Sequence, residues 1–118
     1  MKRLIPSLIA TAALIAAASA FAAPDAATTA RLVGVTSPAK RNADAALVAR
    51  VVPTRRCTIV VLYKNGPSHA PGLAPKRPVH GYVIWKWRVE GTAPLGRWPI
   101  QVKCGSAGSF RTHFTVIR

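Results

Sequence analysis

Two stretches of alternating hydrophobic and polar residues meet in the segment 81–104, on either side of a turn rich in proline and glycine. Side chains of a β-strand alternate between two faces, so residues two apart share a face. The residues that share the hydrophobic faces are Val83, Trp85, Trp87 and Val89 in the first stretch, and Trp98, Ile100, Val102 and Cys104 in the second. The pattern predicts two strands, at 82–89 and 97–104. Because the tryptophans share faces with aliphatic residues, it favours a core over a sugar-binding platform.

Four further segments are predicted to be strands. Residues 31–36 form a short segment that ends before Ser37-Pro38, residues 46–52 place Leu47, Ala49 and Val51 on one face, and residues 110–117 alternate between two faces. Residues 57–63, CTIVVLY, are apolar on both faces. Two apolar faces are typical of a central strand that is covered on both sides. Because no segment after residue 45 has a helical period of 3.6 residues, six short strands with turns between them predict an all-β sandwich.

The predicted connections differ in length and composition. Residues 40–44 are predicted to be a polar connection, and residues 105–109, GSAGS, a flexible turn. Residues 68–79 contain three of the ten prolines and no periodicity, which predicts a long surface loop or an irregular edge crossing. Tyr63 and Tyr82 lie at strand ends, where we expect their rings to be exposed.

The N-terminus has the pattern of a secretory signal peptide. Lys2 and Arg3 precede an apolar run that is short for a membrane span of about 20 residues, and residues 20–22 form an A-x-A site. We expect cleavage after Ala22, with Ala20 as the alternative site and an uncleaved anchor as the competing interpretation. Residues 23–30 are then a disordered linker. Residues 31–118 are one secreted or periplasmic domain without a transmembrane span.

Cys57 and Cys104 are the two cysteines of the chain. Export through an oxidising compartment favours a disulfide between them. Free thiols, or a metal or redox role, are the alternatives, but there is no C-x-x-C spacing to support a redox motif.

Basic residues greatly outnumber acidic ones. The chain has 17 Lys and Arg residues in total against three Asp and Glu residues, which gives a formal net charge of +14. Removal of the predicted signal peptide, which contains Lys2 and Arg3, would lower this charge by two. The electrostatic field of such a positive charge attracts anionic polysaccharide, lipid or nucleic acid. The competing interpretation is that the charge serves solubility alone.

Many of these basic residues fall on the predicted outer faces of strands, opposite the hydrophobic positions. If the last two strands are neighbours, they form one cationic patch from Arg97, Gln101, Lys103, Arg111 and His113, which the Arg-Arg pair beside Cys57 would extend. The candidate anion-binding residues are Arg55, Arg56, Lys86, Arg88, Arg97, Lys103 and Arg111.

Residue types needed for catalysis or metal binding form no recognisable group. Hydrolysis of a glycosidic bond needs two carboxylates beside the bond, whereas Asp44 and Glu90 lie in separate connections and Asp25 lies in the linker. No G-x-S-x-G motif is present. A copper site would need Cys104, which has a disulfide partner. We therefore predict a non-catalytic protein without a cofactor or a metal.

The segments WKWRV at 85–89 and TAPLGRWPIQV at 92–102 resemble the late strand pair of bacterial immunoglobulin-like and fibronectin type III-like domains, with Leu95 inserted before the turn glycine. The resemblance implies an immunoglobulin-like antiparallel β-sandwich of six or seven strands. In that strand order the strand that starts at Cys57 and the one that ends at Cys104 are antiparallel neighbours, so the disulfide would cross between them.

Two functions are compatible with this composition and fold. The first is an envelope-associated or secreted binding module whose cationic sheet face binds an anionic polymer or surface. The alternative is a protein-interaction module, or an inhibitor of a secreted protein, that docks through loops such as residues 68–79.

Overall fold

The computed structural model describes residues 28–118, which form two β-sheets and no helix long and apolar enough to cross a membrane. The signal peptide predicted for residues 1–22 and most of the predicted linker lie outside the described residues. The strands are β1 (Thr29–Val35), β2 (Ala39–Lys40), β3 (Asp44–Val52), β4 (Thr58–Tyr63), β5 (Gly66–Pro67), β6 (Tyr82–Arg88), β7 (Gly96–Lys103) and β8 (Ser109–Ile117).

The strands are divided unequally between the sheets. One sheet has the order β1-β3-β6, and the other has the order β2-β8-β7-β4-β5. All neighbouring strands are antiparallel except β2 and β8, which are parallel. The longest pairings are those of β3 with β6 and of β7 with β8. These four strands therefore position most of the side chains between the sheets.

Side chains from both sheets alternate into a shared core. Trp85 and Trp87 of β6 are almost fully buried, as are Ile100 and Val102 of β7. The ring centroids of Trp87 and Phe114 lie 5.9 Å apart with the rings edge to face, which links the two sheets. The inward faces predicted for residues 83–89, 98–104 and 110–116 are confirmed, although Trp98 and Phe110 are only partly buried.

Cys57 and Cys104 form a disulfide between neighbouring strands. Because Thr58 pairs with Lys103, the cysteines occupy the next position in register, immediately before β4 and after β7. Both are fully buried. The predicted cross-strand bridge is confirmed, and such a bridge is typical of proteins that fold in an oxidising compartment outside the cytoplasm.

The prediction that residues 57–63 form a strand covered on both sides is wrong. Val60 is 37% exposed, and Thr58 on the same face is exposed as well. On one side β4 pairs with β7, but on the other it pairs only with the two-residue β5. The β-branched residues of its outer face suit a strand backbone without being buried.

The N-terminal part of the domain begins earlier than predicted and changes sheets. Thr29 and Ala30, which the sequence places in the linker, belong to β1 and pair with β3. Shortly after β1 the chain crosses to the second sheet, where Ala39 and Lys40 form β2 beside β8. Nearer the C-terminus, the segment predicted to be a flexible turn contains a short 3-10 helix, Gly105–Ala107, with Ala107 buried.

Residues 68–79 are irregular, as predicted, and lie along the open edge of β6. Trp85 Nε1 donates a hydrogen bond to the carbonyl of Ala74 at 2.9 Å, and Lys76 Nζ donates to the carbonyl of Ile84 at 3.0 Å. Gly72 has a φ of +101°, and a Cβ at this position would collide with the backbone carbonyl of Lys86. The loop therefore approaches the strand closely only because residue 72 has no side chain.

The Gly72→Ala variant is expected to lower the free energy of unfolding by about 2–3 kcal/mol, because strain from the positive φ adds to the collision. Gly108→Ala is the matched control: its φ is +114°, but its Cβ would only make an ordinary contact with Ala30. Urea denaturation of both variants should show the larger loss for Gly72→Ala. Equal losses would mean that the loop moves away without cost.

Candidate anion-binding face

Basic side chains from neighbouring strands lie together on the outer face of the five-stranded sheet. The outward positions of β7 and β8 carry Arg97, Gln101, Lys103, Arg111 and His113, which we call the cationic face. Gln101 is opposite Arg111, and Lys103 is opposite Ser109. Lys103 and Arg111 are therefore diagonal neighbours, about 7–8 Å apart at their backbone positions. Their charged groups can contact neighbouring anionic groups of one ligand.

Lys40 extends the same face, and the sequence interpretation missed it. Lys40 pairs with Ile117 in the parallel β2–β8 contact, and both side chains are exposed. The preceding pair in the register, Ala39 with Val116, is buried. The only sequence signal for this position was an apolar residue, Ala39, followed by a basic one, Lys40. Two residues are too few to reveal the period of a strand.

Arg55 lies at the disulfide end of the sandwich. Its Nε donates to Ser106 Oγ at 2.8 Å, and its Nη1 donates to the carbonyl of Thr54 at 2.9 Å. Ser106 follows β7 closely, so these bonds hold the Arg55 guanidinium near the Lys103 end of the cationic face. Arg56 is exposed in the same turn. An arginine that is already held in place loses less side-chain entropy when it binds a ligand.

Lys86 and Arg88 lie on the other side of the molecule. They occupy outward positions of β6, in the three-stranded sheet, and so cannot contact the same ligand group as Lys103. Arg88 Nε lies 3.8 Å from Asp44 Oδ1, and both side chains are more than half exposed. Such an exposed pair adds little to stability. The seven candidate residues are thus divided between two opposite surfaces.

No acidic side chain within residues 28–118 neutralises the cationic face. The acidic residues within 28–118 are Asp44, at the start of β3, and Glu90, in the connection between β6 and β7. The pair of Arg88 with Asp44 is the one ion pair among these residues. The positive charges of β7 and β8 are therefore available to a ligand, and guanidinium and ammonium groups form charge-assisted hydrogen bonds to phosphate, sulfate or carboxylate.

Comparisons with known proteins add no assignment. No protein-family model matches the chain, and no curated protein shows significant similarity to it. Within the part of the chain that the structure describes, no three His, Cys, Asp or Glu side chains are grouped so that they could hold a metal ion. The charge and geometry of the described surface are therefore the features that bear on function.

Proposed function

We propose that the protein is a secreted, non-catalytic module that binds an anionic polymer or surface through the cationic face. The observation that carries this proposal is the placement of Lys103 and Arg111 as diagonal neighbours on paired strands, with no acidic residue of the described part of the chain beside them. Contacts of this kind release counterions from a polyanion, so affinity falls steeply with salt. The N-terminal leader pattern and the disulfide support a location outside the cytoplasm.

We also propose that the fold is immunoglobulin-like. In that fold, strands A, B and E share one sheet and strands C, F and G share the other. The arrangement of β1, β3 and β6 against β4, β7 and β8 supports this assignment, with β5 in the C′ position. Residues 68–79 would then replace strand D along the edge of β6. Loops at the ends of such a sandwich are free to vary without disturbing the core.

Reversal of two charges on the cationic face should strongly weaken retention on heparin. The Lys103→Glu/Arg111→Glu variant is compared with Lys86→Glu/Arg88→Glu, which changes the net charge equally on the opposite sheet. We expect the first variant to elute at much lower salt, with a salt-dependence slope reduced by about one unit per lost contact. Anionic vesicles and duplex DNA, used in parallel, identify the class of polyanion.

Two outcomes would contradict this proposal. Equal weakening in both variants would mean that net charge alone attracts heparin, without a localised face. Unchanged retention of the Lys103→Glu/Arg111→Glu variant would mean that other residues make the contacts. Circular dichroism of both variants shows whether the fold is retained, which is expected because all four side chains are exposed.

An exposed apolar group supports the alternative, a module that binds a secreted protein. Val79 is 67% exposed and Ile84 53% exposed, and they line a shallow pocket with Tyr82 beside the loop 68–79. An apolar contact of this kind would survive salt that abolishes an electrostatic one. Capture of a partner from the extracellular fraction in high salt, abolished by Val79→Asp/Ile84→Asp, would favour this function over the first.

A further inference from the structure

A second polar site lies at the Tyr63 end of β4, whereas the disulfide lies at the opposite end of that strand. It is a pocket of about 210 Å³ between the β4–β5 hairpin and the connection that follows β6. Exposed residues such as His69 and Thr92 line its rim, while Tyr63 and Ala93 are buried and Glu90 is half-buried. The pocket is thus open to solvent above a mostly buried floor.

Two buried polar atoms of this floor have no hydrogen-bond partner within the described protein. Tyr63 is only 7% exposed, and its hydroxyl is unpaired. Glu90 Oε2 accepts a hydrogen bond from Ser68 Oγ at 2.8 Å, but Glu90 Oε1 is buried and unpaired. An unpaired buried polar group costs about 1–3 kcal/mol, so native proteins seldom keep two at one site without a use.

Tyr63 provides an unused hydrogen-bond donor to this pocket. The prediction that its ring is exposed is wrong: the ring packs edge to face with Trp98 at a centroid distance of 6.1 Å. Burial, and secondarily the charge of Glu90, raise the pKa of Tyr63 to about 12, so the hydroxyl keeps its proton at neutral pH. Tyr63 and Glu90 line the same pocket, together with Ser68, which donates to Glu90 Oε2.

The donor on Tyr63 and the acceptor on Glu90 together determine which chemical group the pocket can bind. The Tyr63 hydroxyl has a proton to donate, and the free oxygen of the Glu90 carboxylate can only accept. Because both atoms have almost no accessible surface, the exposed rim must move before a ligand hydroxyl reaches them. The ligand oxygen then accepts from Tyr63 while its proton goes to Glu90. An ammonium group has donors alone and would leave the Tyr63 proton unpaired.

Hydrogen bonds hold the wall of the pocket in place. Arg41 Nε donates to the carbonyl of Ala93 at 2.7 Å, and Trp98 Nε1 donates to the carbonyl of Pro94 at 2.8 Å. The backbone N–H of Ala93 also donates to the carbonyl of Glu90 at 3.0 Å. A wall that is already ordered lowers the entropy lost on binding.

We propose that the Tyr63–Glu90 pocket binds a hydroxyl group of a neutral polyol or sugar residue, which accepts a hydrogen bond from Tyr63 and donates one to Glu90. The pocket lies apart from Lys103 and Arg111, and it is independent of the anion binding proposed for them. Because the ligand group is uncharged, its binding depends little on salt.

The test is a titration of the disulfide-bonded protein with glycerol and with the methyl glycosides of glucose, galactose and mannose, followed by amide chemical shifts in two-dimensional NMR. We expect at least one probe to shift the amide signals of the non-proline residues within 65–69 and 90–94. The Tyr63→Phe variant keeps the ring and loses only the hydroxyl, so it should bind that probe about tenfold more weakly. Tyr82→Phe, which changes an exposed tyrosine outside the pocket, should bind normally.

The proposal is overturned if no probe shifts these amides, which would leave only water as the occupant. It is also overturned if Tyr63→Phe binds as tightly as the original protein, or if methylammonium binds in preference to every glycoside. Glu90→Gln, which keeps the shape of the side chain, gives a second variant should Tyr63→Phe fold poorly. Titration in salt that elutes the protein from heparin separates failure of this proposal from failure of the cationic face.

Discussion

Replacing Cys57 and Cys104 together with alanine is expected to lower the free energy of unfolding by about 4 kcal/mol. The bridge links residues 47 positions apart, and the loss follows from the additional conformational freedom of the uncrosslinked unfolded chain. Because both cysteines are fully buried, alanine also leaves small cavities, which add to the loss. A domain of this size buries only about 60–70% of its unfolded surface, so the bridge is a large part of its stability.

The measurement is urea denaturation followed by tryptophan fluorescence. Dithiothreitol should shift the original protein towards the midpoint of the double alanine variant, while the variant itself should not respond to the reductant. A variant with the same midpoint as the oxidised protein would contradict the prediction. Titration of thiols under denaturing conditions is the direct check, because the disulfide-bonded protein has no free cysteine among its described residues.

Trp85→Ala is expected to cost about 3–5 kcal/mol, the range for loss of a large buried aromatic side chain. Trp85 has no exposed surface and lies opposite the fully buried Leu47 in the register of β6 and β3. Its indole also anchors the loop 68–79 through Ala74. The variant should therefore lose both core packing and the attachment of this loop, as measured by thermal unfolding and by the rate of proteolysis within residues 68–79.

A matched pair of variants separates these two effects. Trp85→Phe and Trp87→Phe remove similar volume from the same face of β6. Trp85 Nε1 donates a hydrogen bond, whereas Trp87 Nε1 is buried without a partner among residues 28–118. Trp85→Phe should therefore be the more destabilising by about 1 kcal/mol, and it alone should accelerate cleavage of the loop. Equal costs and equal cleavage rates would show that the Trp85 hydrogen bond does not hold the loop.

Much of the fold could be predicted because burial in a strand repeats every two residues along the chain. The alternation through Val83, Trp85 and Trp87 predicted the inward face of β6, and the same rule predicted the inward faces of β7 and β8. It failed for β4, where the apolar residues of the outer face are present without being covered. Composition alone could not distinguish a covered strand from one near the edge of a sheet.

The candidate sites were less predictable because they depend on which strands are paired. Lys86 and Lys103 have the same local pattern, a basic residue opposite a buried face, yet they lie on opposite sheets. The pocket brings together Tyr63 and Glu90, which are far apart in the sequence. The ring of Tyr63 was predicted to be exposed, and Glu90 was predicted to lie in a connection without a partner. Neither residue belongs to a recognisable motif.

Local sequence was sufficient to specify the all-β class, the inward faces of the tryptophan strands and the disulfide, because each follows from periodicity or from the presence of only two cysteines. Pairing between distant strands determined the rest. It placed β7 beside β8, which gathers Lys103 and Arg111, and placed β6 in the other sheet. It also brought the β6–β7 connection beside the end of β4, where the buried hydroxyl of Tyr63 and the carboxylate of Glu90 form one pocket.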